Sequence, residues 1–269
     1  MRTPRLARLG LTSMAAVALA VTGCAAENGT TPGASAPPAE APSTSASVAP
    51  ADPAAAAALA SAAATLGSTS FKVTMTSGPG LKLTGQMDAP NGVGTATLTA
   101  TGPNTEINVK SLLVGQDLYV QVPGITKAGT WTHVDVSRLP EGANVGLRPG
   151  QIDPANTAKL LTATTDVRPA GSRGYQGTLD LTRAADVAGV SKTMIDAWGG
   201  QARSVPFTAG LDEQGRLSAL TIQLPAAEGQ QPTPLEVLYT DYGTKVEVQK
   251  PPAAEVIEAP DDLYTTLGG

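Results

Sequence analysis

From Phe71 onward the apolar residues of this chain recur at every second position, and that spacing restricts the fold more than any other feature. In FKVTMTS, Phe71, Val73 and Met75 fall on one face and Lys72, Thr74 and Thr76 on the other. LKLTGQMD repeats the pattern, with Leu81, Leu83 and Met87 set against Lys82, Thr84, Gln86 and Asp88. A period of two is that of a strand with one face covered and one face wet. GVGTATLTAT, EINVKSLLV, DLYVQV and TWTHVDV continue it across short turns at Ser77-Gly78-Pro79-Gly80, Asn91-Gly92 and Gly115-Gln116. This spacing predicts an antiparallel meander. YQGTLDL, SVPFTAGLD, RLSALTIQL, PLEVLYTDY and TKVEVQ bring the expected count to about eleven strands.

Three segments have helical rather than strand character. Asp52-Pro53 ahead of AAAAALASAAATL reads as an N-cap and first turn, stopped by Gly67. Its surface is nearly all alanine, so it must lie close against its neighbour. Asp153-Pro154 repeats that chemistry before ANTAKLLTAT. RAADVAGVSKTMIDAW should form a third helix with Val187, Met194, Ile195 and Trp198 on one stripe. The tail PPAAEVIEAPDDLYTTL offers a short helical turn or an ordered arm, and RLPEGANVGLRPGQ reads as a loop. Runs of strands with segregated helices make an α+β layer, in which the helical stripe needs the apolar face of the sheet as its partner.

The N-terminus has a different logic. Arg2, Arg5 and Arg8 precede an uncharged run from Leu9 to Val21, then Thr22-Gly23 and Cys24, the single cysteine of 269 residues. A basic start, a short apolar run and a small-residue junction make a secretory signal, too short to span a bilayer at ~20 residues. Val-Thr-Gly-Cys matches the bacterial lipobox, which makes Cys24 the lipidation site. On this reading residues 1–23 are a lipoprotein signal peptide, and acyl chains of the palmitate type hold the mature chain on the extracytoplasmic face of the cell membrane. Each buried methylene is worth about 0.8 kcal/mol, so two or three chains anchor durably. A lone cysteine leaves the exported domain no disulfide.

Residues 24–51 are mostly Ala, Pro, Ser, Thr and Gly, with no aromatic residue and almost nothing aliphatic, and read as a disordered tether. Residues 52–269 then form a single domain. Loss of residues 1–23 removes three arginines, which leaves 15 basic against 23 acidic residues and a formal charge of −8. That balance argues against a nucleic-acid footprint or a polybasic membrane patch.

Catalytic signatures are weak. His133, the single histidine, shares a strand face with Trp131, Asp135 and Ser137, but residues at i, i+2 and i+4 project in parallel and do not converge on a relay. It reads as a solvated strand histidine. Ala170-Gly171-Ser172-Arg173-Gly174 imitates a hydrolase elbow, which needs a strand before it and a helix after it; here VRPAG reads as a Pro-containing loop and the strand YQGTLDL follows, so the stretch reads as a turn. With one histidine and one cysteine, the usual zinc ligand sets cannot form. No catalytic residue, metal site or cofactor is expected.

The lipobox Cys24, the tether, the FKVTMT…LTGQMD opening, LLVGQDLYVQVPG…GTWTHVDVS, DPANTAKLLTATTDV, SVPFTAGLDEQGRLSALTIQLP and VLYTDYGTKVEVQKPP together resemble the LolA-like superfamily. The likeness is strongest to the actinobacterial LppX/LprAFG lipoproteins and spans nearly the whole mature chain. It implies an unclosed antiparallel half-barrel with helices packed on its concave face and a lipid-accepting cavity between the layers. It also implies a non-enzymatic carrier of acylated lipids or lipoglycans, monomeric, moving cargo from the cytoplasmic membrane toward the outer envelope with a lipid transporter as its loading partner. A lipid-sensing regulator or scaffold that binds an envelope protein is the alternative. The cavity should be lined by Val73, Met75, Leu83, Val109, Val120, Leu179, Leu181, Met194, Ile195, Trp198 and Phe207. Only nine aromatic residues occur, so space between the layers is thinly filled; tight packing by small residues is the other outcome such a composition permits.

Cys24→Ala should abolish acylation. The variant should appear as unprocessed precursor or unacylated secreted chain in detergent-phase partitioning; a mature-size form still in the detergent phase would refute the anchor.

Overall fold

The computed structural model describes residues 51–102, 104–124, 127–139, 147–148, 151–184, 190–226 and 231–268. Residues 1–50, which include the expected signal peptide, Cys24 and most of the expected tether, and Val187 lie outside the described residues. Residues 48–269 form one compact unit.

The meander is present as β1 (Ser70–Ser77), β2 (Leu81–Asp88), β3 (Val93–Gly102), β4 (Thr105–Val114), β5 (Asp117–Gln121) and β6 (Trp131–Asp135). A two-residue ladder joins β7 (Leu147–Arg148) to β8 (Gln151–Ile152). The second half holds β9 (Thr164–Pro169), β10 (Gly174–Leu179), β11 (Val205–Leu211), β12 (Leu217–Leu224), β13 (Thr233–Thr240) and β14 (Val256–Glu258). Helices are α1 (Pro53–Ala64), α2 (Thr157–Thr162), α3 (Lys192–Trp198) and α4 (Asp261–Gly268).

Twelve strands form a single unclosed sheet in the order β14-β6-β5-β4-β3-β2-β1-β13-β12-β11-β10-β9. Every pairing in it is antiparallel except β14 on β6. The fold is therefore α+β, built on a large, mostly antiparallel open sheet. Tight turns set the register. Val114 pairs with Asp117 across Gly115-Gln116, and Gly115 takes φ +67°, which a two-residue hairpin demands and glycine supplies at no steric cost.

Several expectations are corrected. TKVEVQ forms no strand: it follows β13, whose two sides are already taken by β1 and β12. β9, with Asp166, Arg168 and Pro169, reads as loop in sequence yet pairs with β10 at the sheet's edge, where a proline is tolerated. The third helix begins at Lys192, not Arg183; Ser191 caps it by accepting from the Met194 N–H at 3.3 Å, and residues 181–183 form a separate 3-10 turn.

Helix α1 starts as the sequence predicts, with the Asp52 carboxylate accepting from the Ala54 N–H at 2.8 Å and proline in the first turn. The Asp52 N–H in turn donates to the Val167 carbonyl at 2.8 Å, fixing the helix start to β9. Its small side chains let it lie against α2, β9 and β12 with Ala55, Leu59, Ala62 and Ala63 buried. Tyr239 on β13 donates to the Thr157 hydroxyl at 2.6 Å at the start of α2, and packs edge-on to Phe71 at 5.4 Å. Asp153 accepts from the Ala158 N–H at 2.8 Å; burial pushes its carboxyl up to about 6 despite these backbone donors.

Two inner-face glycines make room for large neighbours. Phe207 pairs with Gly177 across β10 and β11, and its ring lies 3.0 Å from where a Cβ on Gly177 would sit. That Cβ would also overlap the Asp166 carbonyl oxygen, which is backbone and cannot swing away. Opposite Met87, Gly94 leaves space that the Met87 sulfur fills, 2.6 Å from the corresponding point. Gly177→Ala should therefore cost about 1–3 kcal/mol or more by overpacking. Gly200→Ala, where nothing lies within 4 Å, should stay within about ±0.5 kcal/mol. Urea unfolding of both variants measures the contrast, and equal stability would show that the β9–β10 approach is slack.

Candidate functional site

Direct cross-strand neighbours share a face, so the registers assign the inner surface row by row. Met87, Gly94, Leu113, Leu118 and Val134 form one row across β2 to β6, and all are buried. The next row, Gly85, Ala96, Ser111, Val120 and Thr132, is half-buried throughout. Leu83, Leu98 and Val109 follow, also half-buried. Leu81, Ala100 and Ile107 end the series, and Ile107 is 40 % exposed. Exposure thus grows along the strands toward the β1–β2 and β3–β4 turns. Apart from Gly85, Ser111 and Thr132, the residues of these rows are aliphatic.

Across the rest of the sheet the same face is filled. Leu83 opposes Met75 on β1, and beyond it Val237, Leu220 and Ala209 are all buried. The candidate residues therefore divide. Val73, Met75, Leu179, Leu181, Ile195, Trp198 and Phe207 lie in one continuous apolar cluster, with Leu179 and Leu181 at 0 % exposure. Leu181 lies beyond the end of β10, on a 3-10 turn that packs on α3. Met194 leaves the stripe and is 40 % exposed. Leu83 and Val120 are half-buried against the cluster, and Val109 shares Leu83's row through Leu98. Leu81, already placed on this face by the alternation of LKLTGQMD, belongs to the same surface, as do Leu98 and Ile107, which the sequence does not single out. Their signal was the alternation of the threonine-rich β3 and of EINVK, where the apolar positions are few and small.

His133 is not the solvated residue expected. Its side chain is only 16 % exposed and lies between two carboxylates, Nδ1 2.8 Å from Glu258 and Nε2 2.8 Å from Asp117. The ring also packs on Tyr119 at 5.1 Å. Ser137 donates to Asp135 at 2.6 Å, and neither imidazole nitrogen is left to serve it, so Ser137, His133 and Asp135 do not form a relay. Ser172 sits exposed in the turn between β9 and β10: a strand does precede it, contrary to expectation, but a strand and not the helix of a hydrolase elbow follows. Among the described residues no three acidic, histidine or cysteine side chains gather to hold a metal, and no helix is long and apolar enough to cross a membrane.

The filled and the open rows differ in mechanical consequence. Leu113→Ala, at 1 % exposure, should cost about 2–5 kcal/mol through lost burial and a residual cavity. Leu83→Ala, half-buried, should cost clearly less in the same urea titration, whereas equal costs would mean that the outer rows are packed like the inner one. Comparison of the sequence with known protein families and with curated proteins found no match to either.

Proposed function

We propose that this chain is an envelope lipoprotein of the LolA-like, LppX/LprAFG type, which shelters the acyl chains of a lipid or lipoglycan on its inner sheet face. It carries that cargo from the cytoplasmic membrane toward the outer envelope, anchored through Cys24 and free to move on its tether. In this reading the open sheet curves as a half-barrel, and the helices close its concave side around a cavity. The observation that carries the reading is the graded exposure of the aliphatic rows on β2 to β5, continuous with a solid core at one end and open at the other. A monomeric water-soluble fold gains from covering such a surface, and alkyl chains cover it at roughly 25 cal/mol per Å² buried. Aliphatic lining with few polar groups suits cargo chosen by chain number and volume more than by headgroup bonding. The chemistry is binding rather than catalysis: the single histidine is committed to two carboxylates, and Ser137 has no base.

The test is lipid extraction and mass spectrometry of the full chain purified from its native host, with transfer between vesicles as the functional readout. Acylated lipid should copurify and exchange. Val109→Trp and Val120→Trp, which place an indole in the half-buried rows, should keep the melting temperature within a few degrees and lose most lipid loading. Intact folding with undiminished loading in both variants would remove the site from these rows. A chain that neither copurifies with lipid nor transfers it would be the regulator or scaffold instead.

A further inference from the structure

The outer face of the sheet's β14 end carries a polar clasp that the lipid reading does not use. β14 is three residues long, runs parallel to β6, and forms the last strand of the sheet. It belongs to an arm that reaches this edge after a stretch from residue 244 to 252 without regular structure. Glu258 stands directly opposite His133 in the ladder, and the Ala259 N–H donates to the His133 carbonyl at 2.8 Å. Farther along, Arg138 pairs with Asp261 at 2.6 Å and lies 4.0 Å over the Tyr264 ring, while the Asp135 N–H donates to the Tyr264 hydroxyl at 3.0 Å. Among the arm's described residues, Ala259 and Tyr264 are buried and join the apolar cluster.

The decisive geometry is at the imidazole. Both ring nitrogens lie 2.8 Å from carboxylate oxygens, which only accept. A neutral imidazole has one N–H and can satisfy one of them; only the imidazolium donates to both. We propose that residues 256–264 form a strap held on the β6 edge by protonated His133, closed in acid and loosened as the ring loses its proton.

The surrounding charges favour Glu258 as the group released. Asp117 and Tyr119 face the ring from β5, Asp135 lies on its own strand with Ser137 and Arg138 as neighbours, and Glu258 comes from β14. Lys250, on the approach to the arm, pairs with Asp117 and keeps that carboxylate compensated when the ring is neutral. Among the described residues, Glu258 has His133 as its ion-pair partner. Burial lowers the imidazole's affinity for a proton, but the hydrogen bonds to Glu258 and Asp117 outweigh it and raise the pKa above the usual 6.5. A raised histidine stabilises the docked state fully below its free value, and that contribution is lost as pH rises through the docked value. Release would bare the N–H and C=O groups of the β6 edge and expose the buried Ala259 and Tyr264.

Because His133 is the chain's one histidine, its titration is read from a single imidazole signal by NMR. Amide exchange at Ile257, Ala259 and Tyr264 in the full chain, followed from about pH 5.5 to about pH 8, reports docking once intrinsic exchange rates are divided out. Local protection is the right readout, since Asp153 also titrates at about 6 and would colour a global melting curve. Protection of the three amides should fall several-fold across this range, with a midpoint that coincides with the imidazole titration. In Glu258→Gln the amide can donate to Nδ1 while Nε2–H serves Asp117, so a neutral ring suffices; protection should then be flat with pH and the imidazole should titrate lower. Constant protection in the parent chain, an unchanged pH response in Glu258→Gln, or an imidazole that titrates below its ordinary value would each overturn the strap. The parent chain's own coincidence of midpoints decides the question if the variant fails to fold.

Discussion

The pairing register of the long sheet puts every second side chain on one face, and that face has to be covered. Most of the structure answers this demand. Phe71, Val73, Val237, Leu220 and Phe207 lie on that face, and α1, α2 and α3 contribute Leu59, Leu160, Ile195 and Trp198 to the same buried cluster. Burial on this face is dense over the middle and second half of the sheet and falls across β2 to β5, where the rows beyond Leu113 become half-exposed. A helix with larger side chains than those of α1 could not approach β9 and β12 as closely. Its alanines are thus a packing device as much as a matter of helix propensity.

An open sheet also has two edges, each with unpaired backbone groups that invite association. The two are blunted differently. β9 is short, charged through Asp166 and Arg168, ends at Pro169 and gives the Val167 carbonyl to the N–H of Asp52. β6 is covered by the chain's own C-terminal arm, through a short parallel ladder, two ion pairs and a buried tyrosine. The first closure is built from neutral backbone bonds and local charge. The second runs through a titratable ring, so the two edges differ in how they respond to pH.

Local pattern made the six strands of the first half and the capped start of α1 legible, because alternation and capping are properties of neighbouring residues. The strand assignment of TKVEVQ was wrong for a non-local reason. Its alternation is real, but β1 and β12 occupy both sides of β13 and leave it no edge. β9 was missed for the converse reason: it has little alternation, and only its pairing with β10 makes it a strand. The inner-face side chains were identifiable as a set from the period of two. Which of them are packed solid, as Leu179 is, and which stand half-open, as Val109 does, depends on what lies above them.

By itself, the amino-acid sequence determined the strand faces of β1 to β6 and the Asp52 cap of α1, which are written within a few consecutive residues. Tertiary structure alone decided the strand order, the row along which burial gives way to exposure, and the partners of His133. Asp117 and Glu258 lie 16 and 125 residues from that histidine. Only the antiparallel β5–β6 pairing and the return of the C-terminal arm bring their carboxylates to its two nitrogens. Such a contact depends on how distant segments share one sheet edge, and no local spacing encodes it.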